Sequence, residues 1–290
     1  MTPSCTHARF RPNEYAHVGP SGHAFVQGLL TPVGRSASPD AIVVEVGPNR
    51  GVVTRVLARA FPKAQLHLFE CLSEHVSFLR TSWAADARVV VTHAAVGDVA
   101  GQIVPIKGPP PDWMAAAQRR TTLQTAGVLG GPYFPASGKL GAGAKILNRA
   151  NVRWDGHHVL ERVATTTLDA RYLAHPSTNI SFLKIDAEGL DGRVLRGAAG
   201  LLAQRRVSAV YWESFPQQQA LINDSLATDV AFLRSLGYRS YLVGKKCLLP
   251  LTGDCDASDV FRQRHVTNAV AFADEQIERR ALGTYCSDKP

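Results

Sequence analysis

From Ala41 onward, short apolar runs alternate with segments of helical length, and that alternation restricts the chain to a largely parallel α/β sheet. Ala41-Ile-Val-Val-Glu-Val46 is apolar, β-branched and followed by a Gly-Pro-Asn turn, the pattern of a strand buried on both faces. Val52 to Phe61 has helical spacing and is stopped by Pro62. Gln65-Leu-His-Leu-Phe-Glu70 reads as a second strand, Ser73 to Ala85 as a helix capped by Ser73, and the Val-rich Arg88 to Val96 as a third strand. A β-α-β-α-β order with connections this short implies parallel neighbours. The pattern resumes with strands at Val163 to Leu168 and Ile180 to Ile185, a helix from Leu190 to Gln204 and a strand at Val207 to Glu213. A helix from Ser225 to Leu236, capped at Asp224 or Ser225, then precedes closing strands at Arg239 to Val243 and Val266 to Phe272 and a helix at Glu275 to Leu282.

Two stretches stand outside this order. Residues 1–40 read as an irregular arm broken by Pro3, Pro12 and Pro20, with a short helix from Ser21 to Leu30. Residues 41–290 then form one domain, interrupted at about 99–162 by a long insertion carrying Pro109-Pro110-Pro111, Gly130-Gly131, Gly138, Gly141 and Gly143. A structureless stretch of that length inside a compact domain is often a lid or a binding loop. Its Trp113, Tyr133, Phe134 and Trp154 suit either stacking on a ligand or packing of the insertion itself, and the latter is preferred.

The 45% hydrophobic and 19% charged composition excludes intrinsic disorder and a coiled coil. No apolar run reaches the roughly 18–20 residues that span a bilayer. The segment Met1 to Asn13 lacks the apolar core of a secretory signal, so a cytoplasmic protein is expected. The formal charge is +8, from 32 Lys+Arg against 24 Asp+Glu. The densest basic pairs are Arg119-Arg120, Arg205-Arg206, Lys245-Lys246 and Arg279-Arg280, too short and scattered for a nucleic-acid footprint; a solvated basic surface is preferred. The five cysteines contain no Cys-x-x-Cys and are read as reduced.

Chemistry concentrates at strand ends. Glu45-Val-Gly-Pro-Asn-Arg-Gly51 joins the first strand to a helix: Gly47 permits a tight turn with close ligand approach, and Gly51 lets the helix start pack near the strand. The helix N-terminus offers unpaired N–H groups to a carboxylate or phosphate, while Glu45 suits a cation. A ligand carrying both an ammonium and a carboxylate, such as the methionyl part of S-adenosylmethionine, meets both demands. The Gly-x-x-x-Gly spacing does not meet the dinucleotide fingerprint, which disfavours a nicotinamide dehydrogenase. Glu70, ending the second strand, is placed to bond both ribose hydroxyls of a nucleoside. Asp98, after Gly97, falls where an adenine would be flanked, though Gly-Asp is equally an ordinary turn pair. Phe182-Leu-Lys-Ile-Asp-Ala-Glu-Gly189 delivers Asp186 and Glu188 to the same sheet edge, as base, substrate clamp or metal ligands; Glu188 or Asp191 also suits a helix cap. Lys184 would point to one sheet face, where its amine could reach a carboxylate partner. His157 or His158 could take a hydroxyl proton, although a surface histidine pair is the commoner arrangement.

With Phe69-Glu70, Ala94-Ala-Val-Gly-Asp98, Thr167-Leu-Asp169, Val194-Leu195 and Gly197 added to these two blocks, the chain resembles the FkbM-type S-adenosylmethionine-dependent methyltransferases from about Ile42 to Glu213. The resemblance implies a class I methyltransferase (Rossmann-like) fold: a seven-stranded, mostly parallel sheet with one antiparallel strand and helices on both faces. It implies S-adenosylmethionine as cofactor, methylation of a hydroxyl on a sugar or small metabolite, Glu45, Gly47, Asn49, Gly51 and Glu70 at the cofactor, and Asp186 and Glu188 near the reacting centre. Three positions depart from the family's usual pattern: Glu45 for Asp, Pro48 for Ala and Cys71 for Pro. Asp186 and Glu188 offer oxygen ligands to Mg2+, but the sequence shows no third, so a metal-free site is expected. The competing readings are an RNA or protein methyltransferase using the basic surface, and a non-catalytic binding module of the same fold. The acceptor and the oligomeric state are not legible in the sequence.

Overall fold

The computed structural model describes residues 30, 33–34, 41–108, 145–146, 158–244, 248–252, 261 and 266–285. Eight strands form the main sheet: β1 Ile42–Val46, β2 Gln65–Glu70, β3 Val89–His93, β8 Ile180–Ile185, β9 Ala209–Ser214, β10 Arg239–Val243, β11 Leu248–Pro250 and β12 Thr267–Phe272. Their spatial order is β11-β10-β12-β9-β8-β1-β2-β3. Neighbours from β3 to β9 run parallel, whereas β12 is antiparallel to both β9 and β10, and β11 is antiparallel to β10. The sheet thus has eight strands where seven were expected, and two of them, β12 and the edge strand β11, run antiparallel to their neighbours where one was expected. The chain lays down β1, β2 and β3 in one direction and returns to place β8 on the other side of β1. That reversal opens a crevice at the carboxyl ends of β1 and β8, where open α/β sheets bind ligands.

Alternating side chains along each strand fill two separate cores. Val44, Leu183, Val210, Leu242 and Ala271 pack on one face with helices α3 Leu168–Tyr172, α4 Asp191–Arg196, α5 Ala199–Ala203 and α7 Leu226–Ser235. Val43, Leu66, Phe182, Tyr241 and Phe272 pack on the other with α1 Val52–Ala60 and α8 Glu275–Tyr285. All six residues of β8 are buried, which is why Ile180 to Ile185 reads as an unbroken apolar run apart from Ser181 and Lys184.

Several elements differ from expectation. Ser73 is the first residue of helix α2 (Ser73–Ser82) and not its cap; its N–H and Oγ donate to Glu161 at 2.9 and 2.5 Å. The third strand ends at His93, and β4 (Ala95–Val96) leaves the main sheet to pair with β7 (His158–Thr166). The insertion is not structureless: β5 (Ile103–Gly108) pairs antiparallel with β7 and with β6 (Lys145–Ile146). The helix expected from Leu190 to Gln204 is broken into α4 and α5 around Gly197, which packs against the Gly97 carbonyl, where a Cβ would approach the oxygen to 1.9 Å, and whose own carbonyl accepts from the Asp169 N–H. Arg206, read as part of a basic surface, is buried and donates to the carbonyls of Thr178, Leu173, Tyr172 and His175. Ser225 caps α7 as expected, accepting from the Thr228 N–H. The short helix α6 (Pro216–Ala220) was not foreseen.

Behind α6, Arg196 donates to Asp224 and Asp229, and Gln219 joins Asp229 to Ser214. Burial raises the Asp229 carboxyl to about 7, with Asp224 adding to the rise and Arg196 opposing it. An acid raised in the fold contributes stability that is complete below its unfolded value, roughly 4. That stability is lost as pH rises through about 7. Asp229→Asn should therefore flatten the fall in melting temperature across this interval, as followed by calorimetry; an unchanged slope would dissociate Asp229 from it.

Candidate functional site

The site is built where β1 and β8 end side by side. The Asp186 N–H donates to the Val46 carbonyl at 3.1 Å, and the Gly47 N–H to the Phe69 carbonyl at 3.0 Å, so three strand ends are tied together. Gly47 has φ 72° and sits so close to β8 that a Cβ there would meet the Asp186 carbonyl oxygen at 2.0 Å. Only glycine satisfies both the left-handed backbone and this approach. Gly51 closes the turn by donating to the Pro48 carbonyl at 2.8 Å, and packs against Leu79 and Trp83. α1 starts immediately beyond it with no side-chain cap, so its first N–H groups have no capping side chain.

Glu45 does not face that crevice. Its carboxylate is fully buried, accepts from Thr54 Oγ1 at 2.6 Å and lies 3.5 Å from Lys184 Nζ. Burial raises its pKa, against the opposing effects of Lys184 and Thr54. Lys184 stands directly across from Glu45 in the β1–β8 register and two residues before Asp186, hence on the same face. Its ammonium donates to the Gly47 carbonyl and to Asp186 Oδ2, both at 3.2 Å. Burial alone would depress the Lys184 pKa, but the Asp186 and Glu45 carboxylates outweigh it and hold the amine well above its ordinary value.

Glu70 is buried at the end of β2 and organises the adjoining loops. Oε2 accepts from the Asn49 N–H at 3.0 Å; Oε1 accepts from the Cys71 and Leu72 N–H groups at 2.8 and 2.9 Å. Asn49, at φ 52°, thereby turns its backbone toward β2. Each carboxylate oxygen carries two lone pairs, so Oε2 keeps capacity for a further donor.

Asp186 is 40% exposed on the crevice side of this arrangement. Glu188 is half-buried in the following turn at φ 54°. The fully buried Asp191 ties that turn down, accepting from the Ala187, Gly189 and Glu213 N–H groups at 3.3, 3.2 and 3.2 Å. Burial, with Glu213 and Asp186 nearby, pushes its carboxyl well above the ordinary range. Asp191 thus does the loop-securing work expected of a cap, from the first position of α4 and for the preceding loop. Asp98 pairs with Arg193, 3.6 Å away.

The structure thus brings together Glu45, Gly47, Asn49, Gly51, Glu70 and Asp186, with Glu188 on the adjoining turn. His157, Trp113, Tyr133, Phe134 and Trp154 lie outside the described residues, and His158 opens β7. Sequence reasoning missed Thr54, Glu213 and the pairing of Asp98 with Arg193. The signal for the Glu45–Lys184 pair was present: a lysine inside an apolar strand run requires a partner. Among the described residues, no group of three or more His, Cys, Asp or Glu side chains is placed to hold a metal ion, and no helix is long and apolar enough to cross a membrane.

The donor set fits a nucleoside joined to an amino acid. A carboxylate with spare acceptor capacity ends β2, a glycine turn lies flat against β8, and free helix N–H groups sit beside it. The family model described as Methyltransferase FkbM domain matches residues 45–240. No curated protein matches the chain. Among solved structures, precorrin-6y C5,15-methyltransferase from Geobacter metallireducens is similar at 9% identity and a TM-score of 0.41, covering 90% of this chain and 94% of its own. An O-methyltransferase from Bacillus cereus in complex with SAH is similar at 12% identity and 0.37, covering 89% and 83%. The 23S rRNA methyltransferase ErmE is similar at 10% identity and 0.38, covering 91% and 75%.

Proposed function

The chain belongs to the FkbM family of S-adenosylmethionine-dependent methyltransferases, and we propose that it methylates a hydroxyl oxygen on a sugar or small metabolite. The observation that carries this reading is the contact of Gly47 with the Asp186 backbone, which puts the glycine turn and a half-exposed carboxylate at one crevice. The cofactor supplies an already activated sulfonium methyl. Glu70 would hold its ribose, and the Gly47-to-Gly51 turn with the α1 N–H groups would hold the amino-acid end. Asp98 would flank the adenine. Asp186 would orient the acceptor hydroxyl in line with the C–S bond that breaks as the C–O bond forms, and would receive or pass on the hydroxyl proton. Glu188 borders the acceptor side, and His157 is a second candidate for the proton. Lys184 keeps Asp186 in place without occupying its crevice side.

The surroundings of Asp186 favour a neutral acceptor over a polyphosphate. Asp186, Glu188, Asp191 and Glu213 gather at the ends of β8 and β9, while Arg206 of the supposed basic surface is buried elsewhere. Calorimetric titration tests the reading: S-adenosylmethionine should bind and NAD should not, and hydroxylated acceptors should then be methylated where RNA is not. Absence of donor binding would favour the non-catalytic module, and salt-sensitive methylation of RNA would overturn the acceptor class.

A further inference from the structure

Lys184 is a buried charge in the middle of a strand, and burying an ammonium is costly unless its hydrogen bonds and counter-charges are supplied. Here they are supplied entirely by residues of the site. Two hydrogen bonds run to the Gly47 carbonyl and Asp186 Oδ2, and an ion contact runs to Glu45 Oε1, an oxygen with no hydrogen-bond partner of its own. The Gly47 carbonyl belongs to the peptide that Gly47 shares with Pro48. That peptide has no N–H, so its carbonyl is its one polar handle, and the ammonium sets which way it points. One cation therefore fixes the backbone of the glycine turn and the side chain of the acid beside it. Glu45 is shielded from the crevice by burial and engaged by Thr54 and Lys184.

We propose that Lys184 is a positioning residue, which locks the Gly47 turn to Asp186 with Glu45 as its buried counter-ion. This rests on the donor-site reading above. Lys184 touches the parts of the site that S-adenosylmethionine and S-adenosylhomocysteine would share, so its loss should weaken both alike.

The test is calorimetric titration of both ligands into the wild type, Lys184→Met and the double variant Lys184→Met/Glu45→Gln, each with its melting temperature. Lys184→Met should raise both dissociation constants roughly 10- to 100-fold, the range for losing a charge-assisted hydrogen bond. The single variant leaves Glu45 buried without its counter-ion; the double variant removes that penalty, so it should melt close to wild type while keeping the affinity loss. It carries the test if the single variant fails to fold. Folded variants that bind both ligands as the wild type does would reduce Lys184 to a structural residue and overturn the proposal. A loss confined to S-adenosylmethionine would make Lys184 responsive to the sulfonium charge and also overturn it. A wild type that binds neither ligand would sink the donor-site reading itself, an outcome visible before any variant is compared.

Discussion

Glu70→Ala should abolish measurable donor binding, raising the dissociation constant of S-adenosylmethionine by at least ~100-fold in calorimetric titration. Two losses combine. The first is the contact to the ribose. The second is internal: Glu70 accepts from the backbone of Asn49, Cys71 and Leu72, and alanine leaves those three N–H groups without their acceptor. Unsatisfied buried donors cost about 1–3 kcal/mol each where water does not reach them. The Asn49 bond matters most to binding, because it draws the glycine turn toward β2; without it the turn has one tether fewer beside the crevice. Glu70→Asp separates the two losses: it keeps the charge but shortens the reach, so loop bonds and ribose contact cannot both be kept. A Glu70→Ala chain that binds the donor within ~3-fold of wild type would show that β2 does not carry the nucleoside.

The elements whose boundaries were readable are those whose causes are local. β2, β8 and β10 begin and end where expected, because a β-branched or aromatic run is closed by polar or turn-forming residues. Failures came where a distant residue decides. The apolar period between Leu190 and Gln204 does not announce a break, since Val194, Leu195, Ala198, Leu201 and Leu202 keep a helical spacing and all are buried. At the break Gly197 packs against the Gly97 carbonyl, a hundred residues earlier in the chain, a contact that no local pattern predicts. Ser73 has the look of a cap but is claimed by Glu161, and the partner sits in the stretch that read as a structureless insertion.

The candidate site divides in the same way. Gly47, Glu70 and Asp186 were legible because strand-end position alone brings them to the crevice. The surroundings of Glu45 were not: whether a strand-end acid faces solvent or turns beneath the sheet edge depends on the cation opposite, and the Glu45–Lys184 register is a tertiary fact. The cation beside Glu45 is the chain's own lysine, where a ligand ammonium was expected.

Asp186→Ala separates binding from chemistry. Removal of the carboxylate leaves Lys184 with the Gly47 carbonyl and Glu45, so the turn keeps its tether and the buried ammonium keeps a counter-charge. Because the Asp186 side chain is 40% exposed, no buried void results, and melting temperature should change little. Donor affinity should remain near wild type. Methyl transfer, followed as S-adenosylhomocysteine released with an acceptor that the wild type uses, should fall by roughly 10²–10⁴, the range attributed to a positioned acid or base. Asp186→Asn discriminates further: an amide still orients a hydroxyl but does not take its proton. If Asn restores most of the rate, Asp186 acts as an orienter; if it is as slow as Ala, the carboxylate is the base. Full turnover by Asp186→Ala would remove Asp186 from the reaction and move attention to Glu188 and His157, the two remaining groups that the strand order and the insertion bring into question.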